Sequence, residues 1–251
     1  MRRLALLLLF LAVAADAKNM HSGLPITSPV VTLGGMMRDA GAAYPLKTTS
    51  TAFTTSLAVT SVSTAASSTL LVLTVALVDF DGISMEPTSV SSLTGCAGWS
   101  LRISSGSDGA HRGEVWTNAC SSTLSGQTVT VSWTNNVSGH GQSGALALDA
   151  LTGTNASPIG NSAGADASTN SALNITVSGV ASKSWVYVAC AAEDTSGPGV
   201  VSGTTQIASS VDTSTEALVG VNTVGTGGSV NVGWNLSTSF TSIAALEIKS
   251  Q

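Results

Sequence analysis

The sequence predicts an all-β chain, an antiparallel, jelly-roll-like β-sandwich with an internally duplicated strand set. Short segments alternate apolar and polar residues with a period of two, as in residues 53–60 and 128–133, which is the pattern of a half-buried strand. Glycine-containing breaks separate them, for example at Gly106, Gly126 and Gly203. Because β-branched residues and glycine dominate the remaining windows, no helix is expected after the leader. Short, evenly spaced strands are typical of a sandwich or barrel.

The duplication is visible in the last third of the chain. Residues 229–234 read Ser-Val-Asn-Val-Gly-Trp, and residues 128–133 read Thr-Val-Thr-Val-Ser-Trp. The flanking apolar strands also come in matching pairs: residues 70–79 with 185–194, and residues 144–151 with 242–248. We therefore expect both copies to contribute to one sandwich, in which equivalent strands pair with or face each other.

The chain divides into three parts. Residues 1–17 have the form of a signal peptide, with a basic start, an apolar run over residues 4–15 and a small-x-small cleavage site. The run is shorter than the roughly 20 residues that span a bilayer; the alternative is an uncleaved anchor. Prolines and glycines break residues 18–52, which predicts an extended arm or linker. This segment either wraps its own sandwich as a strand or loop, or packs on a neighbouring molecule. Residues 53–251 form the β-sandwich domain.

The composition indicates where the protein is located and limits the classes of partner it can have. Charged residues make up 9% of the chain and Ser and Thr more than a quarter, whereas a globular domain is about 25% charged. A net charge of −5 gives no basic surface for nucleic acid, and few lysines and aromatics argue against a membrane partner once the leader is removed. We expect a secreted, extracellular protein that forms a homo-oligomer or polymer, with glycans as the other class of partner.

Several packing and turn motifs accompany the strands. They are Gly98-Trp99, residues 114–116, 129–133, 151–153 and 157–160, and the closing strand at residues 244–249. This pattern resembles a widespread β-sandwich domain found in bacterial surface and secreted proteins and in phage structural proteins. The resemblance covers roughly residues 53–250 and implies a fold without a catalytic set. Cys96, Cys120 and the arm depart from that domain.

The three cysteines occur in two settings. Cys96 and Cys120 lie beside turn residues, and outside the cell these two are expected to form a disulfide. Cys190 lies within an apolar strand, where a free, buried thiol is expected.

Four Asn-x-Ser/Thr sequons are candidate glycosylation sites, provided that the secretory route glycosylates. They are Asn136, Asn155, Asn174 and Asn235. Asn136 and Asn235 are expected in the equivalent turn after each repeated tryptophan, Asn155 in a loop, and Asn174 on the outward face of its strand.

No metal, other cofactor or catalytic set is expected. Asp79 and Asp81 resemble part of a calcium loop, but calcium needs six to eight oxygens, so acids capping a strand end are the simpler interpretation. His21, His111 and His140 lack zinc-ligand spacing. No G-x-S-x-G elbow is present, and nothing singles out a pair of glycosidase carboxylates. The chain is therefore not expected to be an enzyme.

The five tryptophans divide by position. Trp133 and Trp234 align with apolar strand residues and are expected in the core, as is Trp99. Trp116 is the best candidate for an exposed ring that stacks on a sugar, and Trp185 fits either setting.

Two classes of function remain. The first is a non-enzymatic structural subunit of an extracellular assembly, such as a surface coat, a filament or appendage, or a virion component. Such a subunit would self-associate through residues 18–50, because an extended segment can add a strand to an open sheet edge. The alternative is a carbohydrate-binding module or adhesin.

Overall fold

The structure is a computed structural model of the chain. It describes residues 35–51, 54–79, 85, 88–106, 110–134, 142–167, 171–193, 199–212, 215–238 and 241–251. These residues form 17 β-strands, all ladders among them are antiparallel, and the described part contains no helix. The predicted all-β, antiparallel sandwich is confirmed. The expected leader, residues 1–17, and residues 18–34 of the expected arm lie outside the described residues.

The first half of the molecule contains strands β1 to β9. Their bounds are β1 Met37–Arg38, β2 Leu46–Ser50, β3 Ser56–Val62, β4 Thr69–Asp79, β5 Ser89–Val90, β6 Ser100–Ser105, β7 His111–Cys120, β8 Gln127–Ser132 and β9 Gln142–Thr152.

The second half contains strands β10 to β17. Their bounds are β10 Thr154–Ala167, β11 Ser171–Val180, β12 Trp185–Ala192, β13 Gly199–Val200, β14 Thr204–Val211, β15 Glu216–Thr223, β16 Gly228–Thr238 and β17 Thr241–Ser250.

Each half builds one large and one small sheet. In the first half the large sheet has the order β9-β4-β7-β6, with β1 and β2 both along the outer edge of β9, and the small sheet has the order β3-β8-β5. In the second half the orders are β10-β17-β12-β15-β14 and β11-β16-β13. The two halves match strand by strand, with β1 and β2 in the place of β10. The repeat in the sequence is therefore a repeat of a complete sandwich.

Three hydrophobic cores separate the sheets into four layers. Leu71 and Val129 belong to the core between the two sheets of the first half, and Val188 and Val232 to that of the second. A third core joins the two large sheets, which lie back to back. The expectation that both copies share one sandwich is thus corrected, because each copy encloses its own core and the equivalent strands face each other across the third.

This arrangement explains the strands that are apolar on both faces. In β4, Leu71 and Leu73 point into the core of the first half, while Val72 and Ala76 point into the central core. Continuous apolar strands are common where a sheet is covered on both sides. The two large sheets approach closely, since a Cβ on Gly113 would lie 2.8 Å from the carbonyl oxygen of Ala189.

Part of the expected arm belongs to the sandwich. Met37 pairs with Thr152 in β1, and β2 pairs with residues 144–148 of β9. The amide of Met36 donates to Ser250 Oγ at 3.1 Å, which ties the start of the described chain to the second half. The first strand therefore begins before residue 53, and only residues 18–34 remain as a candidate free arm.

Candidate functional site

The disulfide prediction is confirmed, because Cys96 and Cys120 are bonded. The bridge joins the segment before β6 to the end of β7, and the amide of Ala97 donates to the carbonyl of Ala119 at 2.8 Å beside it. Cys190 is free and fully buried, as expected. Burial, followed by the charge of Glu216, raises the pKa of the Cys190 thiol. A reactive cysteine needs a stabilised thiolate, so this thiol is inert at neutral pH.

Three of the four sequons lie in the described part of the chain. Asn155 is exposed in β10, and its Oδ1 accepts the amide of Ser157 at 3.0 Å. Asn174 is half-buried in β11. Asn235 is exposed within β16 rather than in a turn, and its Nδ2 donates to the carbonyl of Val200 at 3.4 Å. Asn136 lies outside the described residues.

The repeated tryptophans occupy the cores, as predicted. Trp234 is fully buried and Trp133 is 6% exposed. The indole of Trp234 donates to Gln206 Oε1 at 2.8 Å, whereas Nε1 of Trp133 has no hydrogen-bond partner among the described residues. Trp185 is half-buried, with the guanidinium carbon of Arg38 4.9 Å from its ring centroid.

An aromatic patch lies in the first half, on the face of the large sheet that packs against the first-half core. We define it as Trp99, Leu101 and Trp116. Leu101 pairs directly with Trp116 across β6 and β7 and is 40% exposed. Both tryptophans are half-buried against the first-half core, so Trp99 is less buried and Trp116 less exposed than the sequence suggested. Their indole nitrogens donate to Ser91 O at 2.9 Å and to Glu114 Oε2 at 2.6 Å, which fixes both rings.

The fully buried Glu114 carboxylate beneath this patch is saturated with donors. Besides Trp116, it accepts the Thr88 hydroxyl at 2.8 Å and contacts Arg112 Nε. A buried charge is stable only when it is paired and hydrogen-bonded. The arrangement therefore holds the ring of Trp116 in place and leaves little of this carboxylate for an incoming group.

Two other carboxylates tie loops to the sheets. Asp39 accepts the amides of Gly41, Ala65 and Ala66 at 2.7, 2.6 and 2.9 Å. Burial acts to raise its pKa, but these amides outweigh burial and hold the pKa below its ordinary value. In the second half, Glu247 accepts the amides of Asn161 and Ala181 at 2.9 and 2.7 Å.

A polar cluster crosses the central core near the start of the described chain. Asp149 is 1% exposed; it accepts Arg38 Nε at 2.8 Å and the Tyr187 hydroxyl at 2.9 Å. Burial raises the pKa of Asp149, and the hydrogen bond and charge of Arg38 oppose that shift. Because Arg38 belongs to β1, Asp149 to β9 and Tyr187 to β12, the cluster joins both halves to the first strand.

Two of the histidine and acid candidates, His111 and Asp79, lie in the described ranges. His111 lies 3.3 Å from Glu193, and Asp79 accepts Gln142 Nε2 at 3.2 Å. Asp81, His21 and His140 fall outside the described residues. Within the described ranges, no group of three His, Cys, Asp or Glu residues could hold a metal ion. No helix in that same part of the chain is long and apolar enough to cross a membrane.

A groove of about 520 Å³ lies between the edges of the two large sheets and was not predicted from the sequence. Three residues of β2 and four of β14 line it: Lys47, Thr48, Thr49, Gln206, Ile207, Ala208 and Ser209. Lys47 Nζ donates to the carbonyl of Ile207 at 3.3 Å, and Ser210 Oγ donates to that of Ser50 at 2.7 Å. The available signal was Lys47 itself, an isolated cation in a chain with nine Lys and Arg residues.

Comparison with known proteins adds no identity to this geometry: no family model, no curated protein and no solved structure matches the chain.

Proposed function

We propose that the protein is a non-enzymatic structural subunit of an extracellular assembly and that it self-associates through its N-terminal arm. The observation that carries this proposal is the behaviour of residues 36–50. They add β1 and β2 to the edge of β9, so the arm already builds sheet edges within its own chain. The segment before Gly35 pairs in the same way with a sheet edge of a neighbouring copy, as extended peptides do when they add a strand to an open edge.

Two further features support an extracellular structural role. The Cys96–Cys120 disulfide is consistent with an oxidising environment. The four-layer stack buries both large sheets on both faces, which suits a rigid building block. Asn155 and Asn235 are exposed in strands, and on this proposal they are, of the three sequons in the described ranges, the ones most accessible to glycan addition.

The test is to compare a chain that starts at Lys18 with one that starts at Gly35. The truncation ends there because Met36 belongs to the central core. We expect the longer form to assemble into ordered polymers, visible by light scattering and electron microscopy. The shorter form should stay monomeric with unchanged strand content by circular dichroism. Monomers of both forms at high concentration, or equal assembly of both, would contradict the proposal.

The aromatic patch favours a second candidate, a carbohydrate-binding module. Trp99 and Trp116 lie on one face with their rings fixed from behind, and half-exposed rings of this kind stack on sugars. Titration with polysaccharides, monitored by tryptophan fluorescence, tests this candidate. If it holds, Trp116→Ala abolishes binding, whereas Trp185→Phe, which is outside the patch, does not. No binding by the unsubstituted chain eliminates it.

A further inference from the structure

The groove between β2 and β14 has the form of an empty strand position. β14 is the outer strand of its sheet and pairs only with β15 among the described residues. β2 lies above the free edge of β14, since Lys47 and Ser50 of β2 are bonded to Ile207 and Ser210 of β14. Neighbouring strands in a sheet lie about 4.8 Å apart. The groove therefore offers the space in which a further strand would continue the sheet below β2.

The β14 wall of the groove contains a bulge. The ladder between β14 and β15 is interrupted between Gln206 and Ala208, and the Ile207 carbonyl at this bulge accepts the ammonium of Lys47. Bulges and lysines are devices that limit uncontrolled pairing at a sheet edge. Here they limit any pairing along this edge to a short stretch.

The arm contains one segment of matching length and propensity. Residues 30–33 read Val-Val-Thr-Leu and lie between Pro29 and Gly34. Three of these four residues are β-branched, which favours an extended conformation. The flanking proline and glycine limit the strand to this length, and three or four residues line each side of the groove.

The reach of the chain favours a second copy as the donor. Met37 pairs with Thr152 and Thr48 with Leu146. With about 3.4 Å per residue along β9 and about 10 Å between sheets, the groove centre is about 22 Å from Met37. The middle of residues 30–33 is between five and six residues from Met37, which spans at most about 20 Å when fully extended. The segment therefore falls short of the groove of its own chain.

We propose that the groove between β2 and β14 accepts residues 30–33 of a second copy, which add a strand to the free edge of β14. This inference rests on the proposed self-association and names its acceptor site. Each copy then presents one acceptor and one donor, so the contact is head-to-tail and generates a ring or an open filament.

The test uses cysteine pairs in the chain that starts at Lys18. One batch carries Thr49→Cys in the groove, and a second batch, with a mass-altering tag, carries Val31→Cys. In the matched control, a Ser162→Cys chain replaces the Thr49→Cys chain. Ser162 is exposed on β10, which forms the edge of the same large sheet opposite to β14. Mixtures are oxidised with copper–phenanthroline and analysed on non-reducing gels. Cys190 is buried and the other two native cysteines are bonded, so the introduced thiols dominate.

We expect the Thr49→Cys and Val31→Cys mixture to give a covalent heterodimer, with several-fold less from the Ser162→Cys control. Equal yields from both mixtures would overturn the proposal, as would linkage found only when both cysteines are in one chain. Light scattering of the unsubstituted chain distinguishes failure of this acceptor site from failure of the proposed self-association. Assembly without the 49–31 link rejects only this acceptor site, whereas a chain that stays monomeric rejects the proposed function itself.

Discussion

The two halves of the molecule share one strand order but close the edge of the large sheet differently. The second half uses the single strand β10 along β17, whereas the first half uses β1 and β2 along β9. Pro45 lies between these two short strands, and Pro158 and Gly160 interrupt β10, where the register shifts. Residues 36–50 therefore occupy the first strand position of the repeated large sheet and do not form a separate arm.

The two halves also fix their equivalent loops with carboxylates from different elements. Asp39, which follows β1, binds amides of the loop between β3 and β4. Glu247 of β17 binds the amide of Ala181, in the turn between β11 and β12. A Cβ on Gly160 would lie 2.1 Å from Glu247 Oε2, so a larger residue at this position would displace the Glu247 carboxylate. Each half therefore holds this loop with a carboxylate, which we call its loop anchor, but the carboxylate comes from a different element in each half.

The aromatic patch is the third difference. Trp116 pairs with Leu101 in the first half, and the corresponding strands of the second half pair Gly220 with Gln206. A Cβ on Gly220 would lie 3.5 Å from Cζ2 of the Trp234 ring, so a core tryptophan covers this position. The first half has an additional, half-exposed ring there. A sandwich does not require this ring, which is why the patch is a candidate for binding.

The largest expected effect tests whether the two cores are equally essential. Trp133→Ala and Trp234→Ala each remove a buried indole, and such changes cost about 3–5 kcal/mol of unfolding free energy. Urea denaturation followed by circular dichroism measures both. A loss below about 1 kcal/mol in either variant is incompatible with a core role for that ring.

The disulfide should stabilise only the first half. It joins two cysteines that are 24 residues apart in sequence. Removing a disulfide that closes a loop of about this length costs about 3 kcal/mol of unfolding free energy. We expect the double variant Cys96→Ala/Cys120→Ala to lose protection from amide hydrogen exchange in β6 and β7 first, and β12 and β15 to be affected least. Uniform loss across all four strands would show that the halves unfold as a single unit.

Removal of the loop anchors should have a smaller effect. Asp39→Asn and Glu247→Gln each weaken charge-assisted bonds to backbone amides, with an expected loss of about 1–3 kcal/mol per variant. The two variants should destabilise by similar amounts if the anchors are equivalent. Chemical denaturation at neutral pH makes this comparison, and a loss in only one variant would contradict the equivalence.

The Asp39 anchor also predicts a pH dependence. Because the folded-state pKa of Asp39 is lowered from 3.8, its contribution is present above that value and is lost as the pH falls through the folded-state pKa. The difference in stability between the unsubstituted protein and Asp39→Asn should therefore shrink below about pH 4. A difference that is constant from neutral to strongly acidic pH would show that the charge of Asp39 does not contribute.

The local sequence pattern predicts most strands well, but it does not predict the edge strands whose partners are distant in sequence. Period two locates β8, and residues 70–78 are apolar on both faces because β4 lies between two cores. That double-sided pattern was in fact the signal for four layers. Leu46 and Thr48 give no comparable pattern, since β2 is an edge strand whose partner β9 is distant in sequence. The groove depends on two such edges, so no local pattern indicates it apart from the isolated cation Lys47.

The smallest expected effect distinguishes the two repeated tryptophans by their indole nitrogens. Trp234→Phe removes a hydrogen bond to Gln206, which contributes about 1 kcal/mol. Trp133→Phe removes a buried donor that has no partner among the described residues, and such a donor carries a desolvation cost of about 1–3 kcal/mol. Both changes leave a similar small cavity, so Trp133→Phe should destabilise less than Trp234→Phe, by about 1 kcal/mol or more. Urea titrations of the two variants measure this difference. The opposite order would show that Nε1 of Trp133 is bonded in solution, and the two cores would then be more alike than the structure shows.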